Sequence, residues 1–197
     1  MPDLMSDLIP IGCLVMAAGN AARFGGNKLE AELDGKTLLR RAFEAVPAEQ
    51  FAEVAVVTQY DAAAELAASF GFTVLRNEQP ELGLSRTVRL GTEHLRARCR
   101  AICYLVSDQP LLRRESVARA VALYRAHPER IVALSHGGVR GNPCIFPERF
   151  FPELCALEGD RGGSAVIRRH EDALLLCEAE ARELRDVDTR EALRALE

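Results

Sequence analysis

The 197-residue chain contains no tryptophan, only three tyrosines and eight phenylalanines, so few rings are on hand to stack against a ligand. No apolar run approaches the roughly 20 residues needed to span a bilayer, which argues against a membrane protein. Met1 to Pro10 holds Asp3 and Asp7 but no Lys or Arg. A secretory signal opens with a positive region, so residues 1–10 read as a short leader and the expected location is cytoplasmic. The six cysteines (13, 99, 103, 144, 155, 177) form no C-x-x-C, and the four histidines lie at no ligand spacing from them. Buried free thiols are expected, not disulfides or zinc. The dinucleotide fingerprint G-x-G-x-x-G is missing, because Gly19 and Gly25 stand too far apart. A P-loop is missing too: position 30, where it needs glycine, is Glu30, so Gly35-Lys36 reads as a turn before a helix. No Ser-His-Asp or Cys-His constellation stands out, so no protein nucleophile is expected.

What is present fits an ordinary globular protein. Hydrophobic residues make up 48% and charged residues 27%. A chain of this length buries roughly 70% of its unfolded surface without a staple. The net charge of −4 argues against gripping duplex nucleic acid, but leaves room for a small phosphorylated ligand held by a few local cations and amides.

Apolar runs predict strands at Ile11–Met16, Val54–Thr58, Thr73–Leu75, Ala101–Val106, Ile131–Leu134, Cys144–Phe146 and Ala173–Cys177. Helical spacing falls between them, at Thr37–Val46, Asp61–Phe70, Ser85–Leu95, Arg114–Ala126, Pro147–Leu157, Gly162–His170 and Thr189–Leu196. Asp61 and Thr189 are expected as helix caps, and Gly71 as a helix stop. This alternation predicts an α/β fold: a single Rossmann-like domain over residues 1–197, with a mainly parallel sheet and helices on both faces. Ligands of such sheets sit beyond the carboxyl ends of the strands, which singles out the loops after Met16, Val106 and Cys177.

The first loop reads Ala17-Ala18-Gly19-Asn20-Ala21-Ala22-Arg23-Phe24-Gly25-Gly26-Asn27-Lys28. Its small residues allow backbone amides close to an anion, and Arg23 and Lys28 add positive charge. Asp108 follows the most hydrophobic strand in Ser107-Asp108-Gln109-Pro110, placed either to hold Mg²⁺ or as a plain turn residue. In Arg185-Asp186-Val187-Asp188-Thr189, read as extended, only one of the two carboxylates is expected to face the site. For Asp188 a helix-start role competes with metal binding. Asn77 to Ser85 leads into a helix N-terminus, where Ser85 is a candidate N-cap and the free amides suit an anion. Asp160 is a candidate cap for a helix beginning at Gly162.

Residues 17–28 resemble the A-A-G-x-x-x-R-x-G-x-x-K signature of the molybdenum cofactor nucleotidyltransferases, the molybdopterin cytidylyl- and guanylyltransferases. The resemblance runs over about residues 11–196 through further segments in order. It implies that Ala17, Ala18, Gly19, Arg23 and Lys28 bind the nucleotide, with Asn77, Gly83 and Ser85 contributing. It implies catalytic roles for Arg23, Lys28 and Asp108. Asp108, in S-D-x-P, and Asp188, in D-V-D-T, become ligands of Mg²⁺, with Mn²⁺ as an alternative. Arg190 stands where the family often has proline. Gly141-Asn142-Pro143 and Asp160 fall on the acceptor side. There the family commonly has an Arg at the position of Ser164, which leaves Arg161 or Arg168 to supply charge. The implied reaction moves CMP from CTP to the phosphate of a molybdenum-pterin and releases pyrophosphate, with Ala-Ala-Gly leaning to CTP and Ala-Gly-Gly to GTP. An apo-molybdoenzyme or its chaperone would be the recipient. Left open are GTP as donor, another small phosphate acceptor such as a sugar phosphate or phospholactate, and a carrier that binds cofactor without turnover.

Overall fold

The computed structural model describes residues 9–19, 24 and 26–196. In chain order the elements are β1 (Ile11–Ala17), β2 (Glu32–Leu33), β3 (Lys36–Thr37), α1 (Leu38–Glu44), β4 (Glu53–Thr58), α2 (Asp61–Ser69), β5 (Thr73–Arg76) and α3 (Leu84–Leu95). They continue with β6 (Ala101–Val106), α4 (Arg114–Ala126), β7 (Ile131–His136), β8 (Val139–Pro147), α5 (Phe151–Cys155), α6 (Gly163–Ile167), β9 (Leu174–Glu178) and α7 (Arg190–Arg194). Seven strands form one sheet in the order β5-β4-β1-β6-β8-β7-β9. All its strand pairs are parallel except the two that involve β8. The fold is α/β with a mainly parallel sheet, as expected.

The sheet is buried on both sides because alternate strand residues feed opposite cores. Cys13, Val15 and Ala17 of β1, with Cys103 and Leu105 of β6, face α1, α2 and α4. Leu14, Ile102 and Tyr104 face α3, α5 and α6. Each fully buried Leu or Val contributes about 1.5–3 kcal/mol. Helix α3 comes close enough to β1 that a Cβ on Gly91 would stand 2.3 Å from Leu14. A smaller cluster of Phe24, Leu33, Leu38, Val187 and Leu193 fastens α7 to the β2–β3 hairpin. All six cysteines are free, and all but Cys155 are buried. Among the described residues, no helix is long and apolar enough to cross a membrane.

Several local expectations are corrected. β7 and β8 are longer than expected and meet in a hairpin whose turn, Gly137-Gly138, has positive φ at both residues. This matches the turn that suits two antiparallel strands. The expected helix 147–157 divides into a 3-10 turn (Glu148–Phe150) and α5, which has Pro152 in its first turn, where a missing N–H is harmless. Asp61 is the first residue of α2, not its cap. Thr189 does cap α7, accepting a hydrogen bond from Ala192 N at 3.1 Å.

The chain runs outward from β1 to β4 and β5, then returns to β6 on the other side of β1. The strand order therefore reverses between β1 and β6. Their carboxyl ends open the crevice where sheets of this kind bind ligands.

Candidate active site

The loops after β1 and β6 are tied together at the sheet edge. Ser107 Oγ donates to Met16 O at 2.8 Å. Gln59 Nε2 donates to Ala18 O at 2.8 Å, and Tyr60 Oη to Gly19 O at 3.2 Å. These bonds take up the two carbonyls at the start of the loop. Lys28 opens a 3-10 turn whose next residue, Leu29, is buried, while Asn27 Oδ1 caps the turn by accepting from Leu29 N. The lysine side chain is thereby directed back over the strand ends.

Lys28 Nζ donates to Asp108 Oδ2 at 2.9 Å and to Asp188 Oδ1 at 3.0 Å. Three segments separated by up to 160 residues thus converge on one ammonium. Burial alone would lower its pKa, but the Asp108 carboxylate beside it, reinforced by Asp188, holds it above the ordinary lysine value. Lys28 therefore stays charged at neutral pH.

The segment carrying Asp188 is anchored by Val187. Its N–H donates to Asp108 O at 2.8 Å, and its side chain is fully buried. Of the two carboxylates only Asp188 lines the cleft, as expected, while Asp186 is turned to Gln109. Alternation along the segment does not separate them, since residues i and i+2 of an extended segment share a face, and Val187 is the residue turned away. Asp186 Oδ1 accepts from Gln109 Nε2 at 2.9 Å. Partial loss of water, then the negative charges of Asp108 and Asp188, raise the Asp186 pKa against that hydrogen bond. Asp186 is thus the carboxylate of the pair that stays off the cleft wall, and the buried Gln109 that holds it carries no sequence signal of that contact. Arg190, in place of the family's proline, donates to Phe24 O at 3.3 Å and lies over the Phe24 ring.

Lys28, Asp108 and Asp188 line a cleft of about 570 Å³ with Ala18, Gly19, Gly83, Leu84, Thr87 and Ser107. Among the described lining residues, one ammonium (Lys28) faces four carboxylates (Glu81, Asp108, Asp160, Asp188). A polyanionic ligand meets net negative charge here and needs a cation with it. Asp108 Oδ1 is buried and has no hydrogen-bond partner, an arrangement that is costly unless something occupies it. Asp108 and the half-exposed Asp188 are hard oxygen donors that fit Mg²⁺ or Mn²⁺. Among the described residues no three His, Cys, Asp or Glu side chains are grouped to hold a metal. Oxygens of a ligand and water must therefore complete the shell, as is usual for Mg²⁺.

The other expected site residues divide. Arg23 lies outside the described residues. Ala17 points into the core below the loop. Asn77 is buried behind the cleft, its Oδ1 accepting from Gln79 N and its Nδ2 reaching Thr87 Oγ1 at 3.4 Å. Ser85 is buried and its hydroxyl donates to Leu82 O, so it is not the cap. That position belongs to Gly83, at φ 85°. A Cβ there would stand 2.6 Å from Gly159 O and Asp160 Oδ1. Asp160 caps α3 and not the helix after Gly162: its Oδ1 accepts from Leu84 N at 3.4 Å.

Asp160, Met16, Leu84 and Val106 also border a second pocket of about 290 Å³. Its other walls include Asn142, Tyr104, Cys144, Phe146, Ser164, Arg161 and Arg168. Pro143 and Gly141 lie outside both linings, and Gly141 packs against Leu184.

A family model for the MobA-like NTP transferase domain matches residues 13–174. The chain belongs to this family. Over 146 residues this MobA-like domain is 32% identical to the phosphoenolpyruvate guanylyltransferase of Mycolicibacterium smegmatis. That match covers 73% of the chain but spans only 63% of the relative's length. The solved structure of Rv0371c from Mycobacterium tuberculosis H37Rv, in complex with manganese, aligns with a TM-score of 0.74 at 23% identity, covering 95% of this chain and 97% of that one. Molybdopterin-guanine dinucleotide biosynthesis protein A from Archaeoglobus fulgidus aligns with a TM-score of 0.69 at 16% identity, covering 94% and 96%. At these identities the two structures show a shared fold for the MobA-like domain.

Proposed function

We propose that the chain, as one domain over residues 1–197, transfers a nucleoside monophosphate from a nucleoside triphosphate to the phosphate of a small acceptor. The observation that carries this reading is the junction of two pockets, one centred on Lys28, Asp108 and Asp188, the other on cations. The triphosphate occupies the first and the acceptor the second. An acceptor phosphate oxygen attacks the α-phosphorus, the P–O bond to the β-phosphate breaks, and pyrophosphate leaves. The attacking oxygen is already anionic, so no protein base is required. Lys28, and by the resemblance Arg23, offset charge on the departing pyrophosphate. Asp108 and Asp188 would hold Mg²⁺, which supplies positive charge to the phosphate oxygens. The remaining contribution of the chain is positioning.

The donor is CTP and the acceptor a molybdenum-pterin on the reading that the Ala17-Ala18-Gly19 loop supports. The Ala18 methyl lines the cleft, where bulk would disfavour a larger base. The product would pass to an apo-molybdoenzyme or its chaperone in the cytoplasm. A second reading, GTP with phosphoenolpyruvate, is favoured by the 32% identity to an enzyme of that name. Pyrophosphate release from purified protein, measured with each of four NTPs, Mg²⁺ or Mn²⁺, and each acceptor, separates the two. Release with CTP and molybdenum-pterin is expected. Release only with GTP and phosphoenolpyruvate replaces the first reading by the second, and no release from any pair removes both.

A further inference from the structure

Behind the Ser164 wall of the second pocket stands a cation that no family motif announces. Arg140 lies on β8, and its Nη1 donates to Ser164 Oγ at 3.2 Å. Ser164 lines the pocket at the start of α6, in the place where the family commonly has its own arginine. Cys144, also in the lining, feels the same guanidinium: burial pushes its thiol up to about 11, and the neighbouring Arg140 charge works against that push.

Arg140 is half-buried, yet neither a carboxylate nor a backbone carbonyl takes its hydrogen bonds among the described residues. Four other partly buried arginines are better supplied, whereas Arg86 keeps a buried Nε without a partner. Arg41 donates to Leu33 O and Asp34, Arg89 to Cys155 O, Arg125 to Gln50 O, and Arg130 to Ala173 O and Leu174 O. A half-buried guanidinium that meets only a hydroxyl and the Cys144 thiol has donors to spare, and an anion would complete it. Arg161 and Arg168, in the same lining, have guanidinium groups with no partner among the described residues. The single carboxylate among the described lining residues, Asp160, has Oδ1 engaged with Leu84 N.

The reacting phosphate belongs at the border shared with the first cleft, beside Met16, Leu84, Val106 and Asp160. Ser164 and Arg168 are not part of that border. We propose that Arg140, oriented through Ser164, and Arg168 form a subsite for a second anionic group of the acceptor, distinct from the phosphate that reacts. This rests on the acceptor reading above and narrows it to phosphate monoesters that bear another negative group. A carboxylate or the anionic metal–dithiolene end of a molybdenum-pterin would each supply one. The family's arginine is thereby replaced from a neighbouring strand, with its charge retained.

The test is equilibrium binding to the full chain by calorimetry, with Mg²⁺ and without nucleotide. Three probes are compared: ethyl phosphate, which has the phosphate alone, phosphoenolpyruvate, and molybdenum-pterin. At least one of the last two is expected to bind about tenfold tighter than ethyl phosphate, the scale of one charge-assisted hydrogen bond. Which one does so identifies the source of the anion. The preference should vanish in Arg140→Ala, shrink in Arg168→Ala and survive in part in Arg140→Lys. Equal affinities in the wild type, no binding of any probe, or a preference that survives both alanine variants overturns the proposal. If Arg140→Ala does not fold, Arg168→Ala on the exposed end of α6 decides. Absence of pyrophosphate release would sink the transferase reading while leaving the binding comparison standing.

Discussion

The two halves of the groove are built with opposite charge. Among the described residues, the half over β1 and β6 has four carboxylates around one ammonium; the half beside β8 and α6 has two free arginines and a third behind them. They share Asp160 and Leu84 at their border. The contrast teaches that a groove proposed to handle phosphates need not be positive throughout. The carboxylate-rich half suits a polyanion that arrives with a divalent cation. The cationic half suits an anion that arrives without one.

The sharpest way to break this comparison is Lys28→Ala. It leaves Asp108 and Asp188 without their shared counter-charge, and turnover is expected to fall roughly a hundredfold or more, by analogy with other preorganised charge stabilisers. Near-wild-type pyrophosphate release would remove Lys28 from the mechanism. Asp108→Asn comes next. Mn²⁺ affinity, followed by titration, should drop at least about a hundredfold, because even partners one step removed from a metal cost roughly 10–100-fold when lost. Unchanged Mn²⁺ binding would assign Asp108 to Lys28 alone.

Gly83→Ala tests the border. The added methyl would collide with Gly159 and Asp160, so a stability loss of about 1–3 kcal/mol is expected from overpacking. The KM values for nucleotide and acceptor should rise together. A change in only one of them would mean that the halves are independent. The smallest effect is expected from the exposed Arg161→Ala: a severalfold rise in acceptor KM, in line with the modest worth of an exposed ion pair. Nucleotide KM should not move, and a shift in nucleotide KM would blur the division between the halves.

Much of this was legible in the residues. Continuous apolar runs identified β1 and β6, and 3.6-residue spacing identified α4, because burial on two faces or on one stripe leaves those periods. Lys28, Asp108 and Asp188 stood out as the right charges on the right loops. The β7–β8 hairpin was missed, although Gly137-Gly138 marked its turn, because the strand residues beside that turn are polar or exposed. The roles of Asp160 and Arg140 left no local trace. Asp160 caps a helix 76 residues away in sequence, and Arg140 acts through a serine on another element.

The scattered cysteines and the lack of any long apolar run, together with the alternating apolar pattern, determined an α/β chain with a parallel core and no need of disulfides. Pattern is local and follows from which side chains water rejects. Tertiary structure alone decided that Lys28 bridges two aspartates, that Asp188 reaches the cleft while Asp186 meets Gln109, and that the groove changes sign along its length. Those facts depend on the order in which strands lie side by side, and no single segment encodes that order.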